Sequence, residues 1–384
     1  MNDNHNKFHL LNFIINKELS EIYICIFIRS LALSMVGIFI PIYFIKELSY
    51  SIQELLFFYI VMFAVFAAFS PLTAKLSARF GFKHMILFSI PFLIIHYLLL
   101  YLLPVYNIPL QYIAAIGGMA DASFWISFHT DFSLSSSKDH RGEQVGVWFA
   151  LSTLFSALGP FVGGLILTFL SFHLLFIITG ILLLLSAVPL FFSKEIYKKT
   201  PFDWKAIFRK KYLKDGIGYA IYGARAMIYL SWTLFVFFIL KTYFSLGSIS
   251  SASSIMMVFF IYMIGSYSDK MSKISLIQIG SISHSIAWIM KLFVKNIIQI
   301  FGVGMLGGIA WTLVDIPYTA RVYNKAKKSK KTVEYFVFRE IALCVGRLGI
   351  LAIMLILSFK VSYTVLPISF VIASVLDIAQ MFFL

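Results

Sequence analysis

Charge is what this sequence has least of. Only 13% of its 384 residues are Asp, Glu, Lys or Arg, against roughly 25% in soluble domains, while 60% are hydrophobic. The mean hydropathy of +0.89 is too high for a soluble core, and the shortage of charge leaves a bilayer as the natural solvent. Cysteine is also scarce. Cys25 and Cys344 both fall in apolar stretches, which excludes a disulfide framework and any metal-ligand spacing. No Gly-x-x-x-x-Gly-Lys-(Ser/Thr) loop occurs, so nothing supports ATP-driven work, and no His-Glu-x-x-His helix or nucleophile–base pair supports an intramembrane hydrolase. No cofactor and no metal are expected. Acidic residues number 17 against 32 basic ones, a formal net charge of +15. In a soluble protein that excess would suggest nucleic acid. Here its placement gives another answer, and no nucleic-acid partner is expected.

What is present is a series of long apolar runs. They predict an all-α polytopic membrane protein of about twelve transmembrane helices, near 21–45, 52–73, 84–104, 108–131, 145–169, 172–193, 214–240, 249–267, 274–293, 297–320, 334–358 and 362–384. The run from Phe172 to Phe192 carries no charge at all. Lys and Arg crowd into alternate loops, with Lys75, Arg79 and Lys83 after the second run and Arg321 to Lys331 after the tenth. The other loops hold only Lys46, Lys241, Lys291, Lys295 and Lys360. Under the positive-inside rule both termini are cytoplasmic and the protein sits, multi-pass, in the cell (inner or plasma) membrane. The first apolar run lacks a small-residue cleavage site and is expected to stay as the first span. The chain ends with the last run, so no cytoplasmic tail is expected. The most basic loop divides the spans six and six. The expected organisation is an N-terminal six-helix bundle at 1–193, a basic cytoplasmic linker at 194–213 and a C-terminal bundle at 214–384.

The halves resemble each other at an offset of about 190 residues. Ala74 to Lys83 follows the second span, and Gly265 to Lys273 follows the eighth. Gly117-Gly118 in the fourth span and Gly307-Gly308 in the tenth each precede an aspartate, Asp121 or Asp315. Arg29 and Arg225 occupy matching places in the first and seventh spans. With these residues the chain resembles the major facilitator superfamily. Gly265, Asp269, Lys270 and Lys273 keep most of that family's Gly-x-x-x-Asp-(Arg/Lys)-x-Gly-(Arg/Lys)-(Arg/Lys) loop, and Arg79, Gly81 and Lys83 keep part of it in the first copy. The resemblance implies two pseudo-symmetric six-helix bundles, and it implies a cytoplasmic gate at these two loops. Gly159-Pro160-Phe161-Val162-Gly163-Gly164 is similar to part of the fifth-helix motif of drug–proton antiporters in the same superfamily. Glycines four apart also permit close helix packing, and a proline bends a span.

Four ionisable residues lie deep in spans, where each costs roughly 2.5–3.5 kcal/mol and needs a partner or a wet cavity. They are Arg29, Asp121, Arg225 and Asp315, and the resemblance places their helices around a central cavity. They sum to zero charge, so two readings stay open. They are structural pairs, or they are switchable groups on the substrate and proton pathway. A matched arginine on the first and seventh helices is similar to the anion site of organophosphate exchangers, though the two aspartates count against simple phosphate exchange. Arg339, Glu340, Arg347 and Asp377 are expected to form an ion cluster near the cytoplasmic gate. His96 and His284 are lone histidines in apolar spans, read as hydrogen-bonded in place, with a proton relay as the alternative. Trp125, Trp232, Trp311 and Tyr318 are candidate cavity aromatics. The function expected is secondary active transport of a small molecule by alternating access, with the proton as coupling ion and a monomer as the working unit. The leaning is toward efflux of an amphipathic compound. The alternative is uptake or exchange of an organic anion, and a passive channel or a membrane enzyme ranks below both.

Overall fold

The computed structural model describes residues 17–136, 141–192, 202–207, 212–268 and 272–383. Twelve long helices follow one another among these residues. They are α1 (Lys17–Gly37), α2 (Ile52–Phe80), α3 (Phe82–Leu102), α4 (Leu110–Ser135), α5 (Arg141–Phe169) and α6 (Phe172–Ala187) in the first half. The second half holds α7 (Leu213–Leu240), α8 (Tyr243–Ser268), α9 (Lys273–Lys291), α10 (Ile297–Lys328), α11 (Thr332–Val361) and α12 (Val365–Gln380). No strand occurs among the described residues. This is the form a lipid solvent demands, because a helix satisfies its own backbone polar groups where no water can. Nine described segments are long and apolar enough to cross a membrane, the last of them running through both α11 and α12. Helices α4 and α9 are more polar because they carry inward-facing Ser, His and Asp residues.

Local signals set the ends. Ser51 opens α2 with a reciprocal cap, accepting from the Glu54 backbone at 3.2 Å while the Glu54 carboxylate accepts from the Ser51 backbone at 2.8 Å. Asn296 caps α10 through the Gln299 backbone at 3.0 Å. Gly81 joins α2 to α3 at a φ of 106°, a conformation that a side chain would strain. The expected first span is interrupted. Regular helix stops at Gly37, and a short turn, Ile40–Ile42, leads into a π-helical stretch, Tyr43–Glu47. Pro41 explains the break, since it offers no N–H to the carbonyl four residues earlier. Helices α2 and α10 run past their apolar cores, to Phe80 and Lys328, carrying the basic residues expected in loops.

The helices pair in two matching sets. α1 packs on α5 and α6 as α7 packs on α11 and α12. α4 packs on α2 and α3 as α10 packs on α8 and α9, and α3 meets α6 as α9 meets α12. The halves join through α2 against α11 and α5 against α8. Close seams use glycine. A Cβ on Gly159 would fall 2.7 Å from the Met35 backbone nitrogen of α1, and one on Gly346 of α11 would fall 1.7 Å from the Ala220 carbonyl oxygen of α7. Gly164 and Gly247 face each other across the α5–α8 seam, where a Cβ on Gly164 would meet the Gly247 Cα at 3.3 Å. The stretch Gly159 to Gly164 therefore serves packing on both of its sides, and α5 continues through Pro160.

Candidate substrate and proton site

In the first half, Arg29 of α1 is 2% exposed and sits with its guanidinium carbon 3.7 Å from the centre of the Phe124 ring. Its Nη2 is 3.8 Å from an oxygen of Asp121 on α4, whose side chain is 22% exposed. None of the three guanidinium nitrogens finds a hydrogen-bond acceptor among the described residues. A charge-assisted hydrogen bond is about 2.7–2.9 Å long, so this is a loose ion pair.

In the second half, Arg225 of α7 does not pair with Asp315. It pairs with Asp377 of α12, through Nε and one carboxylate oxygen, and both side chains are fully buried. The other oxygen lies 2.7 Å from Nδ1 of His284 on α9, and His284 Nε2 lies 2.8 Å from the Tyr229 hydroxyl. With Nδ1 donating to the carboxylate, Nε2 is the acceptor and Tyr229 donates to it. Arg225 also stands 5.0 Å over the Trp311 ring. Asp377 is thus not part of the α11 cluster, and His284 is hydrogen-bonded at both ring nitrogens. The reason is geometric: α12 packs between α7 and α9, which carry Arg225 and His284. Asp315 instead accepts a short hydrogen bond from Tyr222, whose ring stacks on Tyr318 at 5.2 Å. His96 does have a backbone partner, the Ile113 carbonyl oxygen at 2.9 Å.

A cavity of about 420 Å³ opens between α7, α8 and α10, with Ile38 from the break after α1 and Lys291 from the end of α9. Trp232 and Trp311 line it, together with Tyr229 and the hydroxyls of Thr233, Ser250 and Ser253. Trp125 lies elsewhere, stacked at 5.3 Å on His129 of α4. Lys291 is the residue that sequence reasoning missed. Placed by its position among the outside-loop lysines, it is 1% exposed, with its ammonium 3.4 Å from the Trp288 ring centre, 4.7 Å from Trp232 and 4.9 Å from Tyr229. The signal available in sequence was Trp288, one turn before Lys291 on the same helix; the rings of Tyr229 and Trp232 come from α7 and only the fold brings them there.

The gate residues divide. Gly81 makes the α2–α3 turn, Lys83 is buried against Glu21 of α1 at 3.3 Å, and Arg79 is exposed. Gly265 lies in α8 and Lys273 opens α9, while Asp269 and Lys270 lie outside the described residues, as does most of the 194–213 linker. Its described turn, Trp204–Ile207, docks on the start of α11, where the Asp203 backbone donates to Glu334 at 3.0 Å. The halves are joined at this end by a group that includes two members of the expected α11 cluster. His129 of α4 bonds the Tyr323 hydroxyl of α10 at 2.6 Å and meets Arg339 of α11 at 3.2 Å, and Arg339 pairs with Glu340. Arg347 stands apart, 4.7 Å over the Phe63 ring of α2. At the opposite end Tyr243 of α8 donates to Glu47, and Gln53 of α2 donates to the Ser358 carbonyl of α11 at 3.0 Å.

Residues 22–349 match the sequence model of the Major Facilitator Superfamily. The chain belongs to that superfamily. It is a multi-pass membrane protein. The fold is similar to that of the E. coli fucose:proton symporter FucP, with a TM-score of 0.67 at 9% identity, covering 95% of this chain and 97% of that one. A second FucP structure, in the outward conformation, gives a TM-score of 0.69 at 10% identity over the same shares. At such identity the likeness concerns the fold alone. The chain is also 23% identical over 278 residues to the uncharacterized protein YqgE of Bacillus subtilis, covering 68% of this chain. It spans 65% of the length of that curated relative.

Proposed function

We propose that this superfamily member is a proton-coupled carrier of a small organic molecule, working by alternating access, with Asp121 as the proton-binding group and Arg29 as its partner. The observation that carries this reading is the loose Arg29–Asp121 pair, a buried guanidinium with no hydrogen-bond acceptor beside a partly open carboxylate. Protonating Asp121 removes the charge that holds Arg29, and deprotonating it restores the pair. The two states favour different arrangements of α1 and α4, so a proton gradient biases the carrier. The Arg225–Asp377 pair is fully buried, with His284 on the other carboxylate oxygen, which supports a structural role for it instead. The Gly159 to Gly164 stretch is occupied with packing and gives no argument for export. One chain supplies both halves and the cavity, which supports a monomer as the working unit. The basic loops support both termini on the cytoplasmic side of the cell membrane, with bundles at 1–193 and 214–384.

The test is uptake into proteoliposomes under an imposed pH gradient, across a panel of organic anions, sugars and cationic dyes. Asp121→Asn is expected to abolish gradient-driven accumulation while leaving exchange of internal for external substrate. Full accumulation by that variant overturns the assignment.

A further inference from the structure

The cavity lies in the second half, away from the loose pair of the first, and its chemistry is one-sided. Among the described residues that line it, Lys291 is the only one with a basic side chain, and none carries a carboxylate. The Lys291 side chain is 1% exposed, so its ammonium lies within the wall, covered by the surrounding rings. Its Nζ is 3.9 Å from the point where a Cβ on Gly307 of α10 would sit, so it reaches the inner face of α10. Among the described residues no Asp or Glu comes within ion-pair distance of it. Asp377, the acid behind the same wall, has both oxygens engaged, one by Arg225 and one by His284. Trp288, Trp232 and Tyr229 give the ammonium ring faces and no full negative charge. A cation–π contact offsets only part of the cost of burying an ammonium.

We propose that Lys291 is the charge-recognising residue of a substrate site that takes a small organic anion with an aromatic or apolar body. The carboxylate or comparable anionic group draws the Lys291 ammonium out from its rings into the cavity and pairs with it. The body lies against Trp232 and Trp311, and the hydroxyls of Ser250, Ser253 and Thr233 meet remaining polar atoms. An amphipathic cation finds ring faces but no anionic partner there, so the cavity favours the anion over it. The site differs from one built on Arg29 and Arg225, because Arg225 is fully buried and already held by Asp377. The alternative role for Lys291 is an anchor that fixes the end of α9 in its aromatic surround. The inference rests on the carrier reading in taking this cavity to be the transport site.

The experiment is equilibrium binding to the full-length protein in detergent, read by tryptophan fluorescence with no gradient present. The probes are benzoate, phenylpyruvate, indole-3-acetate and octanoate, each beside its neutral amide, with benzylamine as the cation. At least one anion is expected to quench saturably and to bind tenfold or more tightly than its amide, and benzylamine is expected not to bind. Lys291→Gln is expected to weaken the anion tenfold or more, with Lys291→Arg restoring most of the affinity. Lys291→Gln risks misfolding, so Gly307→Val provides a second variant. A Cβ there meets nothing closer than 3.8 Å, and the larger side chain fills space beside the ammonium. It is expected to keep the wild-type thermal unfolding temperature and lose the anion. If no anion binds better than its amide, or binding survives both variants, the proposal falls. Loss of binding with gradient-driven transport intact removes this site alone, and intact binding without any gradient response removes the proton-coupled reading alone.

Discussion

Arg225 and Asp377 meet where neither touches water, and each is the reason the other is tolerable. A buried charge left without its partner typically costs about 3–5 kcal/mol, far more than the pair contributes when intact. Asp377→Asn is therefore expected to lower stability by about that amount, read as a fall in unfolding temperature in detergent. The Arg225→Gln/Asp377→Asn double variant is expected to recover part of the loss, because no lone charge remains. Asp315 offers the contrast. It is held by the Tyr222 hydroxyl, and Asp315→Asn is expected to cost about 1.5–3 kcal/mol, the range of a hydrogen bond to a charged group. Equal losses at 315 and 377 would mean that the Arg225 pair carries no special weight. Which aspartate Arg225 takes was not legible in the sequence. Depth along a span can be counted at 1.5 Å per residue, but the face that α12 turns to α7 depends on packing that no periodicity in a nearly all-apolar helix records. Lys291 was misread for a related reason. A lysine at the end of a span is expected to extend to the interface, and here the aromatic rings of α7 and α9 turn it inward.

At the scale of helices, the matched seams depend on residues with no side chain. Gly159 brings α5 onto α1 in the first half, and Gly346 brings α11 onto α7 in the second. A β-carbon at either position meets backbone atoms, which cannot rotate away as a side chain does. Gly346→Val is expected to cost at least the roughly 1–3 kcal/mol usual for an overpacked core, and Gly159→Val a similar amount. Gly180 in α6 has nothing within 4 Å of its would-be Cβ, and Gly180→Ala is expected to be neutral or slightly stabilising. Thermal unfolding of the three variants, side by side, checks this. Parity among them would mean that the seams can relax. The helices themselves were plain in the sequence, because a span needs about 20 apolar residues and little else has that signature. Their ends were less so. α10 runs on to Lys328, eight residues past its expected stop, since hydropathy marks where lipid ends and not where the helix does.

Over the whole molecule, the alternating access proposed above needs a closure that can open at each end. At the end that carries the basic loops, the closure is His129, Tyr323, Arg339 and Glu340, drawn from α4, α10 and α11 and walled by Trp148 and Phe336. His129 is its centre, since it contacts a hydroxyl and an arginine that both belong to the other half. Its removal leaves Tyr323 and Arg339 without their bridge to α4, while the seams through α2–α11 and α5–α8 persist. A cysteine at Ser133, one helical turn further along α4 and 1% exposed, reports whether this end is shut. The native Cys25 and Cys344 are buried at 3% and 0%, and replacing both with alanine removes any background labelling. With a membrane-impermeant maleimide, Ser133→Cys is expected to react slowly from either side of vesicles of known sidedness. Adding His129→Ala is expected to speed that reaction severalfold, from the cytoplasmic side alone. Acceleration from the outer side would reverse the orientation argued from the basic loops. Unchanged slow labelling would mean that the two halves are held together at this end by the Lys327–Ser136 contact and the packed rings, without need of the histidine.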